Sequence, residues 1–229
     1  MITTEEALKL VLLHSSKEVE TKEISLTDGL DYVLAYDVLS KIDMPPFRQS
    51  AMDGYALRLG ETEKYKVIGE VQAGDNRSLV LNNGEAVRIF TGAPVPDTAD
   101  AVMMQEKVNV NGETITIEAP LKVMMNIRPK GEQIKKDTVA LTKGTSLKGA
   151  HIGFLTGLGI TTIQVIEKPS IAVVVTGNEL VQAGQELPFG KIYESNSAML
   201  VATLKELGYH KIQVITIKDD YESTKEILG

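Results

Sequence analysis

The stretch Ser170-Ile171-Ala172-Val173-Val174-Val175 is a continuous apolar run that is rich in β-branched residues. Such a run predicts a strand of a parallel sheet that is buried on both faces. Residues 195–207 follow with helical spacing, with Ser195 or Asn196 as N-cap and Gly208 as C′. The sequence pattern predicts a second strand at residues 211–217. This strand–helix–strand order predicts a parallel, right-handed βαβ unit.

The end of the sequence supports the same unit. Asp219 or Asp220 can cap a last helix that runs to Gly229. Two parallel strands and a partial helix do not close a doubly wound sheet, because their apolar faces lack partners. We therefore expect the chain to be a fragment, or further strands to come from elsewhere.

The middle of the sequence, residues 66–139, has a period of two and predicts a β-rich region. Its clearest segment is Val108-Asn109-Val110-Asn111-Gly112-Glu113-Thr114-Ile115-Thr116-Ile117, where Asn111-Gly112 predicts a type I′ hairpin turn. The other predicted strands are residues 66–71, 86–90, 101–105 and 123–127.

The flanking segments combine helices and strands. Thr3 and Glu6 form a capping-box pattern ahead of an apolar helical stripe. A second helix is predicted from Asp28, with Leu30, Val33 and Leu34 on one face. Residues 148–158 predict a short helix that ends at Gly159, and residues 162–166 predict a short strand.

Composition and charge exclude several classes of function. The chain has 31 acidic and 24 basic residues, so its net charge of −7 disfavours general nucleic-acid binding. The absence of cysteine excludes disulfides, thiolate metal sites and a cysteine nucleophile. Its histidines have no metal-site spacing. No apolar run reaches the length of a membrane helix and no signal peptide is evident, so we expect a cytoplasmic protein with no membrane contact.

Two polar clusters lie in or beside the β-rich region. Asp53 is followed by Gly54 in a loop stiffened by prolines, where it either points into a cleft or forms a local Asx-turn. Thr91-Gly92 ends a predicted strand before two prolines. Such a loop either offers a hydroxyl and backbone N–H groups to an oxyanion or is an ordinary strand exit.

A third cluster lies in the predicted βαβ unit. Thr176-Gly177-Asn178-Glu179 follows the first strand, and Asp219 and Asp220 follow the second. Ligands of open α/β sheets bind beyond the carboxyl ends of the strands. Glu179 is therefore a candidate ligand of Mg²⁺ or a proton carrier, whereas helix capping is the alternative for the two aspartates. Among the basic residues, Arg128 is the better candidate for an oxyanion contact.

These segments together resemble the molybdopterin molybdenumtransferase family, which includes MoeA and the E domain of gephyrin. The resemblance rests on five ordered motifs that span the chain. They are Pro46-Phe47-Arg48-Gln49-Ser50-Ala51-Met52-Asp53-Gly54-Tyr55-Ala56, Ile89-Phe90-Thr91-Gly92-Ala93-Pro94-Val95-Pro96, Ile127-Arg128-Pro129-Lys130-Gly131-Glu132, Val175-Thr176-Gly177-Asn178-Glu179-Leu180 and Ile192-Tyr193-Glu194-Ser195-Asn196-Ser197.

The resemblance implies a multi-domain α+β fold. Residues 1–47 and 140–168 would form an elongated, mixed helical domain that dimerises, and residues 48–139 would form a β-rich lobe. Residues 169–229 would begin an α/β domain similar to MogA, without the rest of that domain or the C-terminal β domain.

The same resemblance implies an activity. The family inserts molybdenum from molybdate into adenylylated molybdopterin with Mg²⁺ and releases AMP. Each site of the homodimer takes one lobe from each subunit, and a MogA-type adenylyltransferase is the upstream partner. Asp53, Thr91 and Glu179 would be catalytic, with Asp53 or Glu179 holding Mg²⁺ or orienting water. Substrate-binding roles would fall to Ser50, Arg128, Thr176, Gly177, Ser197, Asp219 and Asp220.

Two positions depart from the family pattern. Gln133 stands where an aspartate is common, which removes a carboxylate, and Val175 stands where a serine is common, which removes a hydroxyl.

A truncated chain is expected to be inactive alone. A scaffold or binding module on the same fold is the alternative function. A free-standing cofactor-binding α/β protein is a third possibility, but it leaves the motifs of the β-rich region unexplained.

Overall fold

A computed structural model describes residues 2–15, 19–77 and 79–228 of the chain. The fold mixes helices and strands. The helices are α1 Thr4–His14, α2 Gly149–Gly157, α3 Asn196–Glu206 and α4 Tyr221–Leu228. The strands are β1 Thr21–Ser25, β2 Val38–Leu39, β3 Gln49–Ser50, β4 Gly54–Leu57, β5 Lys64–Val71, β6 Glu85–Ile89, β7 Ala101–Met104, β8 Val108–Asn111, β9 Thr114–Ile117, β10 Ile127–Arg128, β11 Val139–Leu141, β12 Thr162–Ile166, β13 Ile171–Thr176, β14 Leu180–Val181, β15 Ile192–Tyr193 and β16 Ile212–Ile217.

Helix α1 begins at the predicted capping box. The Thr3 hydroxyl accepts a hydrogen bond from the Glu6 N–H, and the Glu6 carboxylate accepts one from the Thr3 N–H. The helix buries none of its residues, and Val11, Leu12 and Leu13 are 64%, 64% and 74% exposed. The apolar stripe that the sequence predicts therefore has no partner within the described part of the chain.

One hydrophobic core joins segments from both ends of the region 24–165. Strands β1 and β12 form an antiparallel ribbon, and β2 pairs with β11. The short helix α2 packs at the side, so that Leu155 is fully buried. The predicted helix at residues 148–158 and the predicted strand at residues 162–166 are thus confirmed.

The helix predicted from Asp28 is wrong. A single 3-10 turn, Leu26–Asp28, is followed by irregular backbone in which Asp31 has φ 61°. The Leu34 N–H donates to the Thr145 carbonyl and the Leu147 N–H donates to the Tyr32 carbonyl. Long-range pairing therefore outcompetes the local helical period, and Leu34 is buried by this pairing rather than by a helix face.

Six strands form one mixed sheet in the order β7-β4-β6-β5-β9-β8. Strand β4 lies antiparallel to both β6 and β7, and β5 lies parallel to β6. Hydrophobic clusters cover the sheet, with Ala56, Val87 and Ile89 in one and Leu57, Tyr65 and Ile115 in another. The strands predicted at residues 66–71, 86–90 and 101–105 are confirmed within two residues at each end.

The predicted β8–β9 hairpin of this sheet forms with a different turn, and one strand predicted outside the sheet is shorter than expected. In the β8–β9 hairpin, Asn111 pairs with Thr114, so the turn residues are Gly112 and Glu113. Gly112 has φ 62°, whereas Asn111 and Glu113 keep negative φ, which is the pattern of a type II′ turn. The strand predicted at residues 123–127 shrinks to β10, because Met124 and Asn126 adopt positive φ.

The C-terminal segment contains the predicted βαβ unit. Strands β13 and β16 pair in parallel from Ile171↔Ile212 to Thr176↔Ile217, with α3 between them in sequence. No residue of β13 is fully buried in this two-stranded sheet, so the predicted burial on both faces is not observed. Helix α4 is also confirmed, although Gly229 lies outside the described residues. No helix in the described ranges is long and apolar enough to cross a membrane.

Candidate functional site

Three sequence-distant motifs converge on the short strand β3. Ser50 pairs with Ile127, and Gln49 pairs with Arg128. On the other side, the Ser50 N–H donates to the Ala93 carbonyl and the Gly92 N–H donates to the Ser50 carbonyl. Residues 49–53, 91–93 and 127–128, which we call the motif cluster, therefore form one hydrogen-bonded unit at the edge of the six-stranded sheet.

Asp53 and Thr91 contact each other within the motif cluster. The Thr91 hydroxyl donates to Asp53 Oδ1 at 2.6 Å, and the Thr91 N–H donates to the same oxygen at 2.7 Å. Both residues are exposed. Asp53 therefore bonds a residue 38 positions away rather than forming a local Asx-turn. Its second oxygen, Oδ2, accepts no hydrogen bond from the described residues, and Asp53 as a whole is exposed.

The Asp53–Thr91 contact predicts how the NMR signal of the Thr91 amide depends on pH. The Thr91 hydroxyl first, then its N–H and the charge of Arg88, hold the pKa of Asp53 below its usual 3.8. A carboxyl with a lowered pKa stabilises the fold above its unfolded pKa, and this stability is lost as the pH falls through the folded value. We expect the Thr91 amide resonance in ¹H–¹⁵N NMR spectra to stay unchanged from about pH 7 to 5. A titration midpoint above about pH 4 would contradict the contact.

The predicted oxyanion site at Thr91-Gly92 is not formed by those donors. Thr91 gives both its hydroxyl and its N–H to Asp53, and the Gly92 N–H bonds the Ser50 carbonyl. The donors of this loop thus fix the motif cluster rather than remaining open for an anion.

The predicted site residues Ser50 and Arg128 differ in their accessibility. Ser50 is fully buried, and its hydroxyl donates to the Met52 carbonyl at 2.6 Å, so it shapes the Asp53 loop from within. Arg128 is exposed and lies beside Gln49, whose side chain donates to the Gly92 carbonyl. Arg128 on β10 thus places an exposed positive charge next to β3, the central strand of the motif cluster.

The second group of predicted residues lies at one edge of the βαβ unit, which we call the carboxyl edge. Thr176 and Ile217 are paired at the ends of parallel strands, so residues 177–179 and 218–220 leave the sheet together. Gly177 has φ 146°, a backbone conformation that L side chains rarely adopt, which favours glycine at this position. Thr176, Glu179 and Asp219 are exposed at this edge.

Two of the predicted residues take part in helix caps, Ser197 as a donor in the first turn of α3 and Asp220 as the acceptor that caps α4. The Ser197 hydroxyl and N–H donate to the Glu194 carboxylate at the start of α3, which lowers the pKa of Glu194. Ser195 occupies the N-cap position but its side chain makes no capping bond. Asp220 accepts bonds from the Ser223 N–H and hydroxyl, which lower the pKa of Asp220. Capping, the alternative considered for this aspartate, is therefore observed.

No hydrogen bond or ion pair between described residues joins the motif cluster to the carboxyl edge. Within the described ranges, no three histidine or acidic side chains gather into a ready-made metal site. Mg²⁺ is ordinarily held by one or two carboxylates together with substrate phosphates and water. The exposed carboxylate of Glu179 fits that donor chemistry.

Comparison with known families gives two matches that together account for most of the chain. The family described as "MoeA N-terminal region (domain I and II)" matches residues 2–159. The family described as "Probable molybdopterin binding domain" matches residues 172–229.

The chain belongs to the MoeA family. The molybdopterin molybdenumtransferase of Staphylococcus epidermidis is 33% identical over 240 residues, covering 100% of this chain and 57% of the relative. The Haemophilus influenzae protein of the same name is 34% identical, covering 96% of this chain and 55% of the relative. This MoeA-family chain thus spans little more than half the length of these curated relatives.

Solved structures agree with this assignment. A molybdopterin biosynthesis MoeA protein from Pyrococcus horikoshii has 34% sequence identity and a TM-score of 0.87, covering 100% of this chain and 63% of that chain. A second structure of the Pyrococcus horikoshii protein has a TM-score of 0.84. The mixed α/β fold described above is therefore that of MoeA structures, and the protein belongs to a family of molybdenum cofactor biosynthesis.

Proposed function

We propose that the protein, at the full length of its relatives, transfers molybdenum from molybdate to adenylylated molybdopterin and releases AMP. The observation that carries the proposal is the Asp53–Thr91 contact, in which two motifs 38 residues apart combine to leave one carboxylate oxygen exposed. The names of the curated relatives and the match of residues 172–229 to a molybdopterin-binding family support the same reaction.

The substrates are anions, whereas the chain carries a net charge of −7. Positive potential must therefore be supplied locally, and Arg128 in the motif cluster is the exposed cation that we assign to an oxyanion of the substrate. When bound, Mg²⁺ would neutralise phosphate charge and would be held by Glu179. Thr176, Gly177 and Asp219 would contact the substrate from the carboxyl edge, with Ser197 and Asp220 shaping that edge through their caps.

Asp53 has the geometry of a residue that orients an attacking oxygen. Its Oδ1 is fixed by Thr91, and its Oδ2 is open at the surface. In the proposed step, water attacks the adenylate phosphorus, the bond from that phosphorus to the bridging oxygen of the pterin phosphate breaks, and AMP and molybdopterin are formed. A carboxylate that stays ionised accepts the hydrogen bond of that nucleophile. The two dithiol sulfurs of molybdopterin then replace one oxide of molybdate, which leaves as water with the two thiol protons.

We propose that the working form is a homodimer in which the motif cluster of one subunit faces the carboxyl edge of the other. The apolar stripe of α1, which finds no partner among the residues that the structure describes, supports association, because large exposed apolar surfaces on soluble domains mark interaction sites. The proposed domains are residues 1–47 with 140–168, residues 48–139 and residues 169–229. A MogA-type adenylyltransferase would supply the adenylylated substrate.

A chimera tests the reaction. This chain would replace the matching segment of the Staphylococcus epidermidis relative, which supplies the part of the relative's length that the chain does not span. Adenylylated molybdopterin, molybdate and MgCl₂ are supplied, and AMP is measured by chromatography, with the unmodified relative as positive control. AMP release that requires molybdate and Mg²⁺ supports the proposal. A folded chimera that binds a partner protein but releases no AMP would instead favour the scaffold function.

A further inference from the structure

Arg88 is a cation next to the motif cluster that sequence analysis did not single out. It lies on β6 directly opposite Tyr55 on β4. Its guanidinium carbon is 5.0 Å from the centre of the Tyr55 ring and 5.1 Å from that of the Phe90 ring. Contact with two aromatic rings holds the planar guanidinium in one orientation.

The orientation of Arg88 directs its fork at the backbone around Asp53. Nη1 donates to the Gly54 carbonyl at 3.2 Å, and Nη2 donates to the side-chain oxygen of Gln105. Gln105 in turn donates its backbone N–H to the Asp53 carbonyl at 3.1 Å. Arg88 therefore binds both Gly54, which follows Asp53 in the chain, and Gln105, whose N–H donates to the Asp53 carbonyl.

The same strand also leads to the side-chain contact of Asp53. Thr91, which binds the Asp53 carboxylate, comes three residues after Arg88 and just beyond the end of β6. Strand β6 and the residues just after it thus fix Asp53 in two ways. Arg88 and Gln105 hold its main chain, and Thr91 holds its side chain.

We propose that Arg88 is a positioning residue for Asp53, acting through the Gly54 carbonyl and Gln105 to hold the Asp53 main chain in the conformation that leaves Oδ2 exposed. This inference rests on the proposed function, because a role in the reaction requires that Asp53 take part in it. A lysine cannot replace the arginine, because one ammonium group lacks the planar fork that spans two acceptors and the flat face that stacks on two rings.

The test uses the 229-residue chain and three variants. Arg88→Met removes the charge and the fork but keeps an apolar stem, and Arg88→Lys keeps the charge. Arg58→Met is the matched control, since the Arg58 Nη1 donates at 3.2 Å to the Leu81 carbonyl, away from Asp53. Hydrogen exchange of the Gln105 and Thr91 amides and the ¹³C shift of the Asp53 carboxylate at about pH 7 are measured by NMR.

We expect both amides to exchange about tenfold faster in Arg88→Met and Arg88→Lys, with the Asp53 carboxylate shift displaced and the β4–β6 ladder amides unchanged. Arg58→Met should leave the Gln105 and Thr91 amides at wild-type rates. Recovery of wild-type exchange by Arg88→Lys, an even acceleration across the whole sheet, or no change would each overturn the inference. Failure of the proposed function is seen separately, as no AMP release from the unsubstituted chimera.

Discussion

Asp53→Ala is expected to lower AMP release by the chimera on the order of 100- to 10,000-fold, the range typical for loss of a positioned acid–base group. The substitution removes the carboxylate that Thr91 fixes with two hydrogen bonds. Since Asp53 is exposed, the loss should act mainly on the reaction, and only the small share of fold stability that comes from the two hydrogen bonds of Thr91 should be lost with it. The measurement is the steady-state rate of AMP release at saturating molybdate and MgCl₂.

Two controls sharpen that experiment. Asp97→Ala removes another exposed aspartate six residues beyond Thr91, and AMP release should stay within about twofold of the parent. Thr91→Val should reproduce part of the Asp53→Ala defect, whereas Thr114→Val, at an exposed position of β9, should not. An Asp53→Ala chimera that unfolds normally in urea and releases AMP at the parental rate would exclude Asp53 from the reaction.

Gly54→Ala is expected to destabilise the six-stranded sheet by about 3 kcal/mol or more, at the upper end of what overpacking costs. A Cβ at this position would lie 1.9 Å from the backbone carbonyl oxygen of Met103. Backbone cannot yield as a flexible side chain does, so β4 and β7 would have to separate. The measurement is the free energy of unfolding from urea titration.

Gly69→Ala provides the matched control for that prediction. Gly69 also lies on a strand of the sheet, but the nearest atom to its added Cβ is a Leu79 methyl carbon at 3.8 Å. This variant should change the free energy of unfolding by less than about 1 kcal/mol. Equal unfolding midpoints for Gly54→Ala and Gly69→Ala would contradict the close approach of β4 and β7.

The elements that sequence predicts well are those whose signals are local. The capping box at Thr3 and Glu6 and the parallel strands β13 and β16 follow from short-range patterns, and the structure confirms them. The helix expected from Asp28 fails for the opposite reason. Its backbone pairs with residues more than 100 positions away, and a helical period cannot reveal that pairing.

The candidate site divides in the same way. Sequence reasoning marked Asp53 and Thr91 through their glycine and proline context, but only the fold reveals that they bond each other. Arg88 was missed because an arginine inside a strand reads as an ordinary polar position. The signal that identifies it is its register opposite Tyr55, which requires the order of the sheet.

We propose that the motif cluster and the carboxyl edge, each insufficient alone, form one site across two subunits. This arrangement is tested by mixing two impaired chimeras, Asp53→Ala and Glu179→Ala. If subunits exchange at random, half of the dimers are mixed and each mixed dimer regains one intact site, so AMP release should recover to roughly a quarter of the parental rate. Recovery to no more than the rate of either variant alone, with exchange verified by mass spectrometry, would contradict the claim.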